Sequence, residues 1–344
     1  MASKNVQGMA IAVIDNGQVV HTAAYGLRNA EQQLPLTTST VMYGASLTKA
    51  AFAYMLMQLV DEGLLDLDAR LDKLLPQPLP AYKDYADLAG DERWKKLTPR
   101  ILLTHSSGFA NFRWLEPDKK LRFHFEPGQR YAYSGEGINL LQLVIESGLK
   151  LEIGREMQRR VFERFGMTNT SMMWRADFAA NLADGYDAEG KVEAHDERSR
   201  PKAAGSMDTS IADQARMWAG IVRGDGLSKA SRSELVRAQL PITAARQFPT
   251  LVGKTDVRNA EVGLAAGLGL VTFVDASGPA WFKGGHNDTT GNMVVCLERL
   301  KRCIVLLAND ARAEKIYPAL VREILGDTRM PWRWEYGWAD TAAQ

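Results

Sequence analysis

Residues 46–63 read Ser-Leu-Thr-Lys-Ala-Ala-Phe-Ala-Tyr-Met-Leu-Met-Gln-Leu-Val-Asp-Glu-Gly and form the most informative stretch of this chain. Apolar residues lie around most of the circumference of a helix drawn over them, and Gly63 is placed to terminate that helix. A helix that is apolar on nearly every side must be covered by the rest of the chain. The stretch therefore predicts a buried helix that opens with Ser46 and Lys49.

Strand patterns lie near both ends of the sequence. Met9–Ile14 and Val19–Tyr25 flank an Asp-Asn-Gly turn, which is typical of a β-hairpin. Four more strand-like runs occupy the last third of the chain: Gly267–Val274, Pro279–Gly284, Asn292–Glu298 and Cys303–Ala308. Strands at both ends with helices between them predict an α/β chain of the α+β type, in which an antiparallel sheet flanked by helices closes by pairing of its terminal strands.

The same pattern predicts the domain organisation. Residues 1–63 and 205–330 are expected to form the α/β domain, and residues 64–204, which carry few strand signals, an inserted all-helical domain. Residues 331–344 form an aromatic-rich C-terminal arm, which we expect to pack over the body of the protein.

Composition restricts the partners of the protein. The chain has 344 residues, with 42 Lys plus Arg against 41 Asp plus Glu and a net formal charge of +1. Nucleic-acid binders and membrane-surface proteins usually carry a basic excess, which is missing here. The longest apolar run, residues 50–60, is much shorter than the roughly 18–20 residues that span a bilayer. We therefore expect a small-molecule partner, no nucleic acid and no transmembrane segment.

The first residues leave the compartment open. Residues 1–8 lack the apolar segment of a secretory signal. The protein is cytoplasmic if this start is native, and periplasmic or secreted if an export signal has been removed.

The two cysteines lie on the arms of a predicted hairpin. Cys296 and Cys303 could be cross-strand neighbours there. A disulfide needs an oxidising compartment as well as close Cβ atoms, so we expect two free, buried thiols.

Several kinds of catalytic site are absent from the sequence. The five histidines are scattered and form no metal-binding pattern, and no G-x-S-x-G elbow occurs. S-x-x-K occurs three times, at Ser46–Lys49, Ser147–Lys150 and Ser199–Lys202, but only the first pair opens a buried helix. Residues three apart share a helix face, so the Lys49 amine can reach the Ser46 hydroxyl, and burial would lower its pKa enough for a neutral amine to act as a base.

Two further motifs follow in order. Tyr133-Ser-Gly135 and Lys283-Gly-Gly285, together with Ser46-x-x-Lys49, resemble the Y-x-N, K-T-G and S-x-x-K motifs of class C β-lactamases, penicillin-binding proteins and family VIII carboxylesterases. The resemblance runs from about Gly8 to Leu325 and implies a β-lactamase/transpeptidase-like fold.

The resemblance also implies residue roles. Ser46 would be the nucleophile, Lys49 its base partner and Tyr133 the group that relays a proton to the leaving atom. The oxyanion hole would use the backbone N–H groups of Ser46 and His286. The His286 side chain could itself be catalytic, although a contribution from its backbone alone is the preferred interpretation. No cofactor is implied.

Two departures from the family pattern bear on the substrate. Gly135 stands where the lactamases and peptidases have an asparagine that helps to hold an acylamino side chain. Lys283 keeps a cation that suits a carboxylate, and Gly284 and Gly285 complete the third motif.

We therefore predict a serine hydrolase that acts through an acyl-enzyme on carboxylic esters or activated amides, as a β-lactamase-like carboxylesterase. The first alternative is a β-lactamase or D-Ala peptidase, and the second is a catalytically idle penicillin- or peptide-binding protein.

Overall fold

The computed structural model describes residue 1 and residues 4–338. Its strands are, in chain order, β1 Gly8–Asp15, β2 Gln18–Asn29, β3 Leu34–Pro35, β4 Met42–Tyr43, β5 Gly185–Tyr186, β6 Val192–Glu193, β7 Asp208–Thr209, β8 Leu240–Pro241, β9 Ala265–Ala266, β10 Val271–Asp275, β11 Gly278–His286, β12 Gly291–Leu297 and β13 Arg302–Ala308.

Its α-helices are α1 Leu47–Asp61, α2 Leu71–Leu74, α3 Pro99–Leu103, α4 Gly135–Leu143, α5 Ile153–Met157, α6 Ile211–Arg223, α7 Lys229–Val236, α8 Arg258–Glu261, α9 Tyr317–Leu325 and α10 Trp332–Tyr336. Short 3₁₀ and π turns extend or connect them. Among the described residues, no helix has the length and apolar character needed to cross a membrane.

The chain divides into two compact units. The first comprises residues 1–54, 154–226 and 275–329, and the second comprises residues 55–153, 227–274 and those from 330 onward. The predicted α/β domain and inserted helical domain, with limits at residues 63, 204 and 330, stay a prediction, because compact units need not be separately folding domains.

The first unit is built on an antiparallel sheet. Its strands follow the order β3-β2-β1-β13-β12-β11. The predicted hairpin is confirmed as β1 and β2, and β1 pairs with β13 from Met9 opposite Ala308 to Ile14 opposite Cys303. Pairing of the first and last strands therefore closes this sheet, as the sequence predicted.

Buried strands and amphipathic helices form the core of this unit. Strand β12 is buried along its whole length, as its nearly unbroken apolar sequence predicts. Helix α6 packs on β1, β2 and β13, and α9 packs on β12 and β13. The Ser210 hydroxyl caps α6 by accepting from the backbone N–H of Asp213 at 3.3 Å.

The expectation of free thiols was wrong. Cys296 on β12 lies directly opposite Cys303 on β13, with 4.2 Å between their Cα atoms, and the two form a disulfide. Directly opposed residues of antiparallel strands can approach to about 4.5 Å, so the strand register itself brings the sulfur atoms together.

The second unit contains mainly short helices. Thr98 caps α3, because its hydroxyl accepts from the backbone N–H of Ile101 at 3.2 Å. Ser134 caps α4 in the same way, accepting from Gly137 at 3.0 Å. Strands β8, β9 and β10 pair antiparallel within the same unit.

The C-terminal arm is partly helical. It contains α10, where Trp334 is only 1% exposed. Gln247 links this helix to the segment before α4: its amide N–H donates to Glu335 at 2.8 Å, and its amide oxygen accepts from the Tyr131 hydroxyl at 2.9 Å. The described part of the arm therefore packs within the second unit, against the segment before α4, while residues 339–344 lie outside the described residues.

Candidate active site

Ser46 lies at the start of α1, just after a sharp turn. Ala45 has a φ of 46°, a left-handed conformation that costs energy for a residue with a side chain. The turn is closed by the N–H of Leu47, which donates to the carbonyl of Gly44 at 3.1 Å. Strand β4 thus passes into α1 through a constrained turn that presents Ser46 at the helix N-terminus.

The Lys49 side chain lies beside Ser46, as predicted. Its Nζ donates to Ser46 Oγ at 2.9 Å and to the carbonyl oxygen of Ala204 at 2.5 Å. Lys49 is only 1% exposed. Burial first, and the positive charge of Lys283 second, hold the pKa of Lys49 well below its ordinary value. This environment favours a neutral amine in hydrogen-bonding contact with the serine hydroxyl.

The third motif runs along β11 and passes close to the same turn. A Cβ added at Gly285 would lie 2.9 Å from the backbone nitrogen of Leu47 and 3.1 Å from that of Ser46. Only glycine allows this approach, because both contacts are with backbone atoms that cannot move aside easily. Because Gly285 has no side chain, strand β11 passes close to the backbone N–H of Ser46.

Alternation along β11 separates the neighbouring side chains. Lys283 shares the face of Gly285 and is itself 5% exposed, with Nζ donating to the carbonyl of Gly284. His286 points to the opposite face, where its Nδ1 lies 3.4 Å from an oxygen of Glu314. This geometry favours the interpretation that His286 contributes its backbone rather than its imidazole.

Tyr133 lies in the second unit, directly before the start of α4. It is 4% exposed, and its ring packs against His105 at 4.4 Å and Phe248 at 5.4 Å between centroids. His105 also accepts from the N–H of Ser134 through Nδ1 at 3.2 Å, and its carbonyl accepts from Ala132 at 2.8 Å. His105 therefore holds the segment that carries Tyr133.

Gly135 packs against an aromatic ring that the sequence motifs did not reveal. A Cβ at this position would lie 2.6 Å from Phe112 Cζ and still closer to Cε1. Phe112 stacks on Trp114, with ring centroids 4.0 Å apart and planes 9° apart. The space that a side chain at position 135 would enter is thus occupied by Phe112.

The ordered motifs and this geometry agree with a sequence comparison. The family model described as Beta-lactamase matches residues 1–325. The chain belongs to the beta-lactamase family.

Proteins with similar sequences include both an esterase and a peptidase. Lovastatin esterase of Penicillium rubens is 27% identical over 211 residues, which cover 52% of this chain and 52% of that protein. D-aminopeptidase of Gluconobacter oxydans is 24% identical over 194 residues, covering 54% of this chain and 36% of that protein. The match spans about half of the first relative and little more than a third of the second.

Solved structures confirm the fold class. The octameric penicillin-binding protein homologue from Pyrococcus abyssi superposes with a TM-score of 0.73 at 21% identity, covering 95% of this chain and 75% of that one. The penicillin-binding protein from Bacillus halodurans gives a TM-score of 0.69 at 20% identity, covering 90% and 92%. The predicted α/β, penicillin-binding-protein-like fold is therefore correct.

The predicted site residues fall into two groups. The first unit holds Ser46, Lys49, Lys283, Gly284, Gly285 and His286, and the second unit holds Tyr133 and Gly135. Sequence reasoning missed Phe112 and the Ala204 carbonyl that accepts from Lys49. Neither belongs to a motif, and their partners are distant in sequence, so no local signal could have identified them. Among the described residues, no group of three or more His, Cys, Asp or Glu side chains is arranged to hold a metal ion.

Proposed function

We propose that this protein is a serine hydrolase that cleaves carboxylic esters through an acyl-enzyme on Ser46. The observation that carries the proposal is the 2.9 Å contact between Lys49 Nζ and Ser46 Oγ, combined with a lysine pKa held well below its ordinary value. A neutral amine at that distance can take the hydroxyl proton as the serine attacks, which is the requirement for an activated nucleophile.

The proposed reaction has two steps. Ser46 Oγ attacks the ester carbonyl while its proton passes to Lys49, and the N–H groups of Ser46 and His286 stabilise the oxyanion. When the tetrahedral intermediate collapses, the alcohol leaves with a proton relayed by Tyr133, a role taken from the family motif. Water then attacks the acyl-enzyme, releases the carboxylic acid and returns the proton to Ser46.

Hydrolysis by paired serine variants tests this proposal. Wild type, Ser46→Ala and Ser147→Ala are assayed with p-nitrophenyl butyrate and with a chromogenic cephalosporin. Ser147 is the matched control because it opens another S-x-x-K sequence that does not begin a buried helix. We expect ester hydrolysis by wild type and Ser147→Ala, loss of it in Ser46→Ala, and at most slow reaction with the cephalosporin. If wild type turns over neither substrate, the hydrolase proposal fails and the idle binding protein becomes the better explanation.

A β-lactamase or D-Ala peptidase is the second candidate, and Lys283 is the observation in its favour. A buried ammonium near Lys49 suits a substrate that carries a carboxylate. Lys283→Ala should therefore reduce hydrolysis of anionic substrates more than that of neutral esters. Equal losses for both would remove this reason for a carboxylate-bearing substrate.

A further inference from the structure

The turn at residues 203–205, which supplies the Ala204 carbonyl to Lys49, is held by three side chains that lie outside the sequence motifs. They are Tyr43, Arg198 and Asp208, and we call them the Tyr43 cluster. We propose that the Tyr43 cluster positions this turn, so that the Ala204 carbonyl keeps the Lys49 amine directed at the nucleophile. Its members are positioning residues, since they act through the turn. This role rests on the proposed function, because it concerns acylation of the same serine.

The Lys49 amine lies between two oxygen atoms. It is 2.9 Å from Ser46 Oγ and 2.5 Å from the Ala204 carbonyl oxygen, and all three residues belong to the first compact unit. A carbonyl oxygen only accepts, so an N–H of Lys49 must donate to it. In the neutral amine this leaves the lone pair to face the serine hydroxyl, which is the orientation that a general base needs. The position of Ala204 therefore sets the direction of the Lys49 amine.

The Tyr43 hydroxyl holds the next peptide group of the turn. It donates to the carbonyl of Gly205 at 2.6 Å, and burial raises the pKa of Tyr43, so the phenol keeps the proton that it donates. Tyr43 lies on β4, opposite Asp208 on β7 and three residues before Ser46. Because peptide groups are planar, fixing the Gly205 carbonyl also restricts the Ala204 carbonyl that precedes it.

Arg198 and Asp208 fix the Tyr43 ring. Asp208 is fully buried, and both terminal nitrogens of the Arg198 guanidinium donate to one of its oxygens, at 3.3 and 3.1 Å. The guanidinium carbon lies 4.3 Å from the centre of the Tyr43 ring, and His195 Nε2 lies 3.0 Å from the other oxygen of Asp208. A buried ion pair adds little net stability, because desolvation offsets the attraction. Its position over Tyr43 gives it a second effect, which is to hold the ring against the guanidinium.

Backbone contacts tie the same segment to the turn that carries Ser46. The N–H of Gly44 donates to the carbonyl of Met207 at 2.8 Å, and the N–H of Met207 donates to the Thr48 hydroxyl at 3.1 Å. These contacts do not involve the side chains of the Tyr43 cluster. A variant that loses a polar group of the cluster should therefore keep its fold and lose mainly the fixed placement of Ala204.

Single-turnover kinetics test this role. Enzyme in excess is mixed with p-nitrophenyl butyrate, and the dependence of p-nitrophenol release on enzyme concentration separates the acylation rate constant from the half-saturating concentration. We expect Tyr43→Phe to lower the acylation rate constant about tenfold and to leave the half-saturating concentration within about twofold of wild type. A misplacement of about 1 Å can cost about 10²-fold, and the remaining backbone contacts should limit the displacement to less than that.

Tyr54→Phe is the matched control. The Tyr54 side chain is fully buried in the same unit, and its hydroxyl also donates to a backbone carbonyl, that of Asp225. The control should keep the acylation rate constant within about twofold of wild type, because its hydroxyl does not hold the turn that contacts Lys49. A loss as large as that of Tyr43→Phe would show a general effect of removing a buried hydroxyl and would overturn the proposal.

A double variant tests whether two members of the cluster act through the same turn. Asp208→Asn should also lower the acylation rate constant about tenfold, and Tyr43→Phe/Asp208→Asn should lose little more than either single variant, since both changes release the same carbonyl. Losses that multiply to about 10²-fold would mean that the two side chains act independently and would overturn the cluster. Circular dichroism and Tm are measured for each variant. If Asp208→Asn does not fold, Tyr43→Phe decides, because it keeps both the ring and the ion pair.

The outcomes separate this role from the proposed function. If wild type hydrolyses the ester and Tyr43→Phe acylates at the wild-type rate, or changes only the half-saturating concentration, the Tyr43 cluster does not position Lys49 and only this proposal falls. If wild type releases no p-nitrophenol, the proposed function itself fails, and the role of the cluster falls with it.

Discussion

Two segments that lead into helices differ in how they keep the family pattern. At the start of α1, Ser46 and Lys49 preserve the motif and lie in contact at 2.9 Å. At the start of α4, Tyr133 is preserved but the third motif position is Gly135, packed under Phe112. The contrast indicates that groups proposed for the chemical step are retained while a group proposed for substrate recognition has been replaced.

The largest expected effect concerns Lys49. We expect Lys49→Ala to lower kcat/KM for p-nitrophenyl butyrate by roughly 10²–10⁴-fold, the usual contribution of a positioned general base. Lys49→Arg should not restore activity, because a guanidinium stays charged and cannot accept the proton. Lys73→Ala, at an exposed lysine of α2, is the control. Activity of Lys49→Ala within a few-fold of wild type would mean that the start of α1 does not supply the base.

The close approach of β11 to the same turn gives the next effect. Gly285→Ala places a Cβ against the backbone nitrogens of Leu47 and Ser46, so we expect a loss of about 1–3 kcal/mol in unfolding free energy together with a marked fall in activity. Gly253→Ala is the matched control, since a Cβ there meets no atom within 4 Å. Denaturant unfolding measures the free energy of unfolding of both variants. Equal stabilities for the two variants would contradict the packing described at Gly285.

The charge of Lys283 should be visible in the pH profile. The rate of ester hydrolysis should rise with pH as Lys49 loses its proton, with a midpoint at the lowered pKa. Removing the positive charge in Lys283→Ala makes protonated Lys49 less unfavourable, which raises its pKa and moves the acidic limb to higher pH. Burial is the larger cause of the shift, so part of the lowering should persist. An acidic limb that stays in place or moves to lower pH would contradict this electrostatic account.

The smallest expected effect is at His286. Its side chain faces Glu314 while its neighbour Gly285 faces Ser46, so His286→Ala keeps the backbone N–H and removes only a distant contact. We expect kcat/KM to change by less than about threefold, the size of a substitution within ~0.5 kcal/mol of neutral. A loss comparable to that of Lys49→Ala would assign the imidazole a catalytic role.

The sequence predicted those parts of the structure that follow from local periodicity or motif spacing. Sequence patterns with a period of two to four residues predicted the hairpin of β1 and β2, the buried α1 and the shared helix face of Ser46 and Lys49. Pairing of β1 with β13 followed from strand patterns at both ends.

The remainder depends on contacts between distant positions. The Phe112 ring meets Gly135 from a loop without periodicity. The left-handed position in the turn before α1 is occupied by Ala45, a residue type that does not predict that conformation. The disulfide depended on the register of two strands, which sets whether Cys296 and Cys303 are opposed or offset. Such features can be identified only from the three-dimensional structure, because each partner residue is chemically ordinary on its own.

Direct detection of the acyl-enzyme tests the central claim most closely. Wild type and Lys49→Ala are mixed with p-nitrophenyl butyrate, quenched in acid within the first turnovers and digested for peptide mass spectrometry. We predict a butyryl adduct on Ser46 in the wild type and none in Lys49→Ala over the same interval. A wild-type protein that releases p-nitrophenol while carrying its adduct on another residue, or an adduct on Ser46 that forms equally fast without Lys49, would contradict the account.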